Sequence, residues 1–69
     1  MKEVNVSLYY ENGPMIDGWT VKANCLEDIY EDIRKGVGPE MKVEKEKDPF
    51  LMYGYGDLVA FISPVDFDK

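Results

Sequence analysis

The sequence predicts an α+β domain: a two-layer sandwich of β-β-α-β-β order, with one helix at about residues 25–36 packed on a four- or five-stranded sheet. Three observations carry this. Apolar residues recur at every second position in two N-terminal segments, at helical spacing from Leu26 to Val37, and almost without interruption from Leu58 to Ile62. With 69 residues, the chain is expected to hold one core and to form one small acidic domain over residues 1–69.

Val4, Val6, Leu8 and Tyr10 share one parity, and Asn5, Ser7 and Tyr9 the other, the pattern of a half-buried strand. Trp19, Val21 and Ala23 repeat it against Thr20 and Lys22. Between them "ENGPMIDG" supplies turn residues, so a hairpin with a long tip is expected. Pro14 cannot donate to a ladder, which argues against tight pairing up to Asn12 and Gly13.

The period then becomes helical. Leu26, Ile29, Tyr30, Ile33 and Val37 form one apolar stripe. Asn24 is the expected N-cap, with Glu27 completing a capping-box-like pair and Cys25 at the first helical position. Arg34 and Lys35 suit the C-terminal dipole, Gly36 or Gly38 can supply a left-handed cap, and Pro39 stops the helix. "MKVEKEKDP" then reads as a charged edge strand ended by Asp48-Pro49. "FLMYGYGDLVAFIS" reads as a short strand or extended loop at 50–53, a glycine turn, and an interior strand at 57–63.

This order, with its last strand free to insert beside the first, resembles the β-grasp arrangement. A sulfur-carrier activity would require a diglycine tail, whereas this sequence ends "PVDFDK", so the resemblance implies the fold alone. "LEDIYEDIRK" following a hairpin also resembles the HicB-like antitoxin pattern, over the hairpin and helix only and without its glycine-marked third strand.

Composition restricts the chemistry. Fourteen acidic residues against eight basic ones give a formal charge of -6, which disfavours direct binding to nucleic acid or an anionic membrane and favours a basic protein surface. A charge of this size also serves solubility alone. With no His and one Cys, His-dependent nucleophilic mechanisms and the usual zinc sites are not expected. Cys25 reads as a small structural hydrophobe. The carboxylates lack calcium-loop spacing, and "YGYGD" lacks the third glycine and following helix of a dinucleotide loop, so no metal or cofactor is expected. The absence of a long apolar run or secretory-type N-terminus, together with the lone Cys, leads to a cytoplasmic expectation.

"LEDIYEDIRK" sets Glu27 beside Glu31 and Asp28 beside Asp32, on the wet side of the helix. The N-terminal dipole compensates Glu27 and Asp28, and Glu31 is expected to pair with Lys35. Asp32 has no basic partner of its own, and is therefore the carboxylate least accounted for by folding. Such a row can be the ordinary solvated face of a helix, or an analogue of strand phosphates offered to a Lys/Arg groove. Tyr53, Tyr55 and Asp57 on the glycine loop would add amphipathic anchors.

The leading expectation is a non-catalytic inhibitor or adaptor that presents Glu27, Asp28, Glu31, Asp32, Tyr53, Tyr55 and Asp57 to a basic, nucleic-acid-binding protein. Acidic DNA mimics, many of them encoded by phages or mobile elements, act in this way. The alternatives are a small-ligand or accessory enzyme domain using the 50–57 loop, and a structural protein that self-assembles through its apolar 50–62 segment. Homodimerisation would help so small a chain to bury apolar surface.

Overall fold

In the computed structural model, alternating Val4, Val6 and Leu8 lie in strand β1 (Lys2–Tyr10), which pairs antiparallel with β2 (Met15–Ala23). Residues 1–44 and 46–67 are described. Lys45, in the charged run, and the last two residues of "PVDFDK" lie outside them.

The hairpin tip is shorter than the sequence suggests. The Gly13 N–H donates to the Tyr10 carbonyl at 3.0 Å, and pairing resumes at Tyr9↔Met15. Pro14 stays outside both strands, so its missing donor costs the ladder nothing. A register shift between Leu8 and Tyr9 absorbs the extra residue on β2.

Helix α1 (Leu26–Gly36) buries Ile29, Tyr30 and Ile33, with Leu26 and Val37 packed at the margins, as the stripe requires. Both expected caps are replaced. The N-cap is Cys25, not Asn24; its backbone is extended at φ -156, and it makes no side-chain cap hydrogen bond. Asp28 reaches back, its carboxylate accepting from the Asn24 N–H at 3.1 Å. At the other end Val37 closes the helix in right-handed conformation, its N–H donating to the Ile33 carbonyl at 2.7 Å. Neither Gly36 nor Gly38 takes the left-handed cap: among the described residues, the glycine with positive φ is Gly56. The Arg34 side chain spans the exit instead, its Nε donating to the Met41 carbonyl at 2.9 Å.

Strands β3 (Lys42–Glu44), β4 (Asp48–Tyr53) and β5 (Leu58–Ile62) follow. The described chain thus runs ββαβββ, one strand beyond the expected β-β-α-β-β order, because residues 48–53 form a full strand. Its five strands make one open sheet of order β2-β1-β5-β4-β3 with every pairing antiparallel. The charged β3 lies at an edge and the apolar β5 at the centre, as their compositions indicate. β5 does lie beside β1, the feature behind the β-grasp resemblance, and the pair is antiparallel.

The core lies between α1 and one face of this sheet. Ile29, Tyr30 and Ile33 cluster there with Val4, Val6, Val21, Ala23, Met41, Met52, Ala60 and Ile62. The Tyr30 hydroxyl donates to the Pro49 carbonyl at 2.6 Å, which lets a polar group enter the core paired. After β5, the Ser63 N–H donates to the Asn5 carbonyl at 2.9 Å and the Lys2 ammonium donates to the Asp66 carbonyl. These contacts bring Val65 and Phe67 against the core.

Tyr30→Phe keeps the ring and leaves the Pro49 carbonyl without this donor. The expected loss is about 1 kcal/mol in urea-unfolding stability, with little change in the unfolding slope. An unchanged midpoint would show the bond to be dispensable.

Candidate functional site

The acidic row of α1 is exposed along its length: Glu27, Asp28, Glu31 and Asp32 all face solvent. Folding nevertheless holds it in place. Glu27 and Asp28 occupy the first turn, where the helix dipole favours negative charge. Glu31 pairs with Arg34 at 3.4 Å rather than with Lys35, because Arg34 is already anchored over that turn by Met41. Asp32 is the clearest correction. Its carboxylate accepts a hydrogen bond from the Trp19 indole Nε1–H at 3.1 Å, which ties the helix to β2. The carboxylate least explained by the sequence is thus a structural acceptor as well as a surface charge.

The remaining sequence-predicted residues lie elsewhere. Met52 is buried in the core, so its neighbour Tyr53 projects from the helix-free face of the sheet, opposite Val59 and Lys42. Tyr55 is 79% exposed in the turn joining β4 to β5. The Gly54 N–H donates to the Leu58 carbonyl at 2.9 Å, while Gly56 takes φ 64, so both glycines serve the turn. A Cβ at Gly54 would come within 2.6 Å of the Met41 sulfur. Asp57 sits at the same end, its carbonyl accepting from the Glu11 N–H at 2.7 Å, which sets the hairpin tip beside this turn. The seven residues therefore occupy three places: the four helix carboxylates together, Tyr53 across the sheet from them, and Tyr55 and Asp57 at the loop end.

Two contributors escaped sequence reasoning. Trp19 was legible only as an inward-facing strand residue, although an indole N–H entering a protein generally needs an acceptor. The second is an apolar group on the helix-free face. The register places Tyr9, Val59 and Tyr53 in one row, with Ser7, Phe61 and Leu51 in the next. Val59 is buried yet lies outside the core cluster, as a side chain on the far side of the sheet must. The available signal was the run "LVAFI", apolar on both parities.

A groove of about 380 Å³ lies between the end of α1 and β2, lined by Leu8, Asp17, Trp19, Gly36 and Val37, away from the 50–57 loop on which a small-ligand reading rested. Among the described residues no three His, Cys, Asp or Glu groups converge as metal ligands. No helix among them is long and apolar enough to cross a membrane. Compared with known proteins, the chain matches no family model, no curated protein and no solved structure.

Two outcomes follow from this geometry. Gly56→Ala should lose about 1 kcal/mol of unfolding stability, because φ 64 is a left-handed conformation costly to a side chain; equal stability would exclude that strain. A double-mutant cycle between Trp19→Phe and Asp32→Ala should return a coupling of about 0.5 kcal/mol, modest because the pair is exposed. Strict additivity would remove the structural role assigned to Asp32.

Proposed function

We propose that this is a non-catalytic protein-binding module whose recognition surface is the acidic face of α1, and whose partner is a basic protein surface of the kind that accepts nucleic-acid phosphates. The observation that carries the reading is the fixing of the row. Asp28 is held by the Asn24 N–H, Glu31 by Arg34 and Asp32 by Trp19, on a helix anchored by its buried stripe. Charges held before binding lose less freedom when they meet guanidinium or ammonium groups, so more of the attraction remains as affinity. The formal charge of -6 adds long-range steering toward a cationic surface.

The mechanism is competition. Carboxylates spaced one helical turn apart, about 5–6 Å, occupy the Lys/Arg groove and exclude its nucleic acid. Trp19 and Arg34 act as positioning residues, since they orient carboxylates and need not touch the partner. A cytoplasmic setting fits this role, because the lone Cys25 then stays a thiol.

The test uses Glu27→Lys with Glu31→Lys, which reverses charge without removing the Trp19 acceptor. Basic nucleic-acid-binding proteins are titrated with the chain while bound to fluorescent duplex DNA, at two salt concentrations. The wild-type chain should displace DNA at low salt and lose affinity as salt rises. The variant should bind at least about tenfold more weakly with its helical signal intact. Equal affinity and an equal salt slope for the two chains would end the proposal.

A further inference from the structure

Helix α1 covers one face of the sheet; the other carries side chains larger and more apolar than a solvent face requires. In register across it run Lys42, Tyr53, Val59, Tyr9 and Met15, and beside them Leu51, Phe61, Ser7 and Gly18. Met15 is 62% exposed and Tyr53 41% exposed, whereas Val59 between them is closed off. Beside Phe61 the same face has a depression of about 500 Å³ bordered by Asn5, Val6, Ser7, Met15, Gly18, Trp19, Thr20 and Ser63, and the Met15 methyl lies over Gly18, 2.8 Å from where a Cβ would stand. Aromatic projections and a depression thus adjoin on one surface, and a second copy turned to face it can match each to the other.

We propose that the helix-free face is the interface of a homodimer in which two sheets pack face to face. A two-fold axis along the seam between β1 and β5 sets Phe61 over Ser7 of the second copy, Leu51 over Gly18, Val59 over Tyr9 and Tyr53 over Met15. Sheets packed in this way lie about 10 Å apart with strands roughly 30° from alignment.

Charge selects a second copy as the occupant, and area sets how tightly it is held. About that axis β2, β1, β5 and β4 face their counterparts while β3 lies outside, and strands of 9, 9, 5 and 6 residues at about 3.4 Å rise and 4.8 Å spacing give about 470 Å² in plan. That lies below the roughly 800 Å² each partner contributes to a standard stable interface, so the dimer is of the weak, concentration-dependent class. The charged side chains that strand alternation puts on this face are Glu3, Glu44, Lys22 and Lys42, two of each sign, so it lacks the acidic surplus of the rest of the molecule. Stacking two copies here leaves both acidic helices on the outer sides, separated by two sheets and beyond the screening length of about 8–10 Å in physiological salt. The inference stands independently of the acidic-helix reading, and the two respond to salt in opposite directions: screening strengthens the association of two like-charged copies and weakens binding to a basic protein.

The experiment is sedimentation velocity of the purified chain across a concentration series at low and high salt, repeated for Tyr53→Lys, Met15→Lys and Phe61→Glu, with circular dichroism on each. The expected wild-type species has twice the 7.9 kDa chain mass and gains population as salt rises. Tyr53→Lys and Met15→Lys change exposed side chains and should fold, and each should weaken dimerisation at least tenfold. Phe61→Glu should abolish it, while Glu27→Lys with Glu31→Lys on the far helix leaves the dimer in place. A chain that is monomeric throughout the series overturns the proposal, as does a dimer unaffected by the folded Tyr53→Lys and Met15→Lys variants. Titration with neutral phosphatidylcholine vesicles provides the last arm: a monomer whose Leu51, Val59 and Phe61 amide signals respond only to vesicles assigns the face to lipid and overturns the second copy.

Discussion

One amphipathic helix has to seal a sheet wider than itself, and the rest of the molecule answers that constraint. The 11 residues of α1 make a rod about 16 Å long and about 10 Å thick. The five strands spread over about 24 Å. Ile29, Tyr30 and Ile33 close the middle of the sheet, and the margins need other cover. Trp19 closes the β2 side through Asp32, Arg34 and Met41 close the exit of the helix, and Val65 and Phe67 are brought in after β5 by the bond from Ser63 to Asn5. In a chain of this size stability is expected to be only a few kcal/mol, so these marginal contacts matter in proportion.

The period-2 and period-3.6 patterns made most elements legible. Val4, Val6 and Leu8 mark β1, the Leu26 to Val37 stripe marks α1, and "LVAFI" marks a central strand, because each pattern follows from which face must be dry. What failed was local competition. Asn24 and Cys25 are both adjacent to the first apolar turn, and a side-chain preference for Asn cannot anticipate that Asp28 will satisfy the Asn24 N–H from within the helix. The hairpin tip failed similarly. Pro14 forbids a donor at one position only, and a bulge two residues on restores the ladder. The Trp19–Asp32 bond was out of reach for a different reason: it depends on where the helix crosses the sheet, which periodicity leaves unspecified.

That bond also changes the meaning of the acidic row. A carboxylate with no basic neighbour in the sequence looked like a charge kept for a partner, yet Asp32 already has work as an acceptor at the helix–strand contact. Its role does not remove the charge from the surface, because an indole N–H is neutral and the carboxylate remains exposed. A group can therefore be fixed by folding and presented to solvent together, and this combination distinguishes a preorganised face from a merely acidic one.

The two surfaces carry unequal weight as signals. Exposed helix faces are charged in most soluble proteins, so Glu27 and Glu31 meet an ordinary requirement before any partner is considered. The helix-free sheet face meets no such requirement. Alternation asks only that Val4, Val6, Leu8, Ala60 and Ile62 be apolar, and it would accept Ser or Thr at the other parity, as β1 and β2 do at Ser7 and Thr20. Tyr9, Leu51, Val59 and Phe61 depart from that pattern across neighbouring strands and in adjacent rows. Isolated surface hydrophobes need no explanation, but a contiguous set in register does. The helix has no second face with which to cover it, since its apolar stripe is already spent on the core.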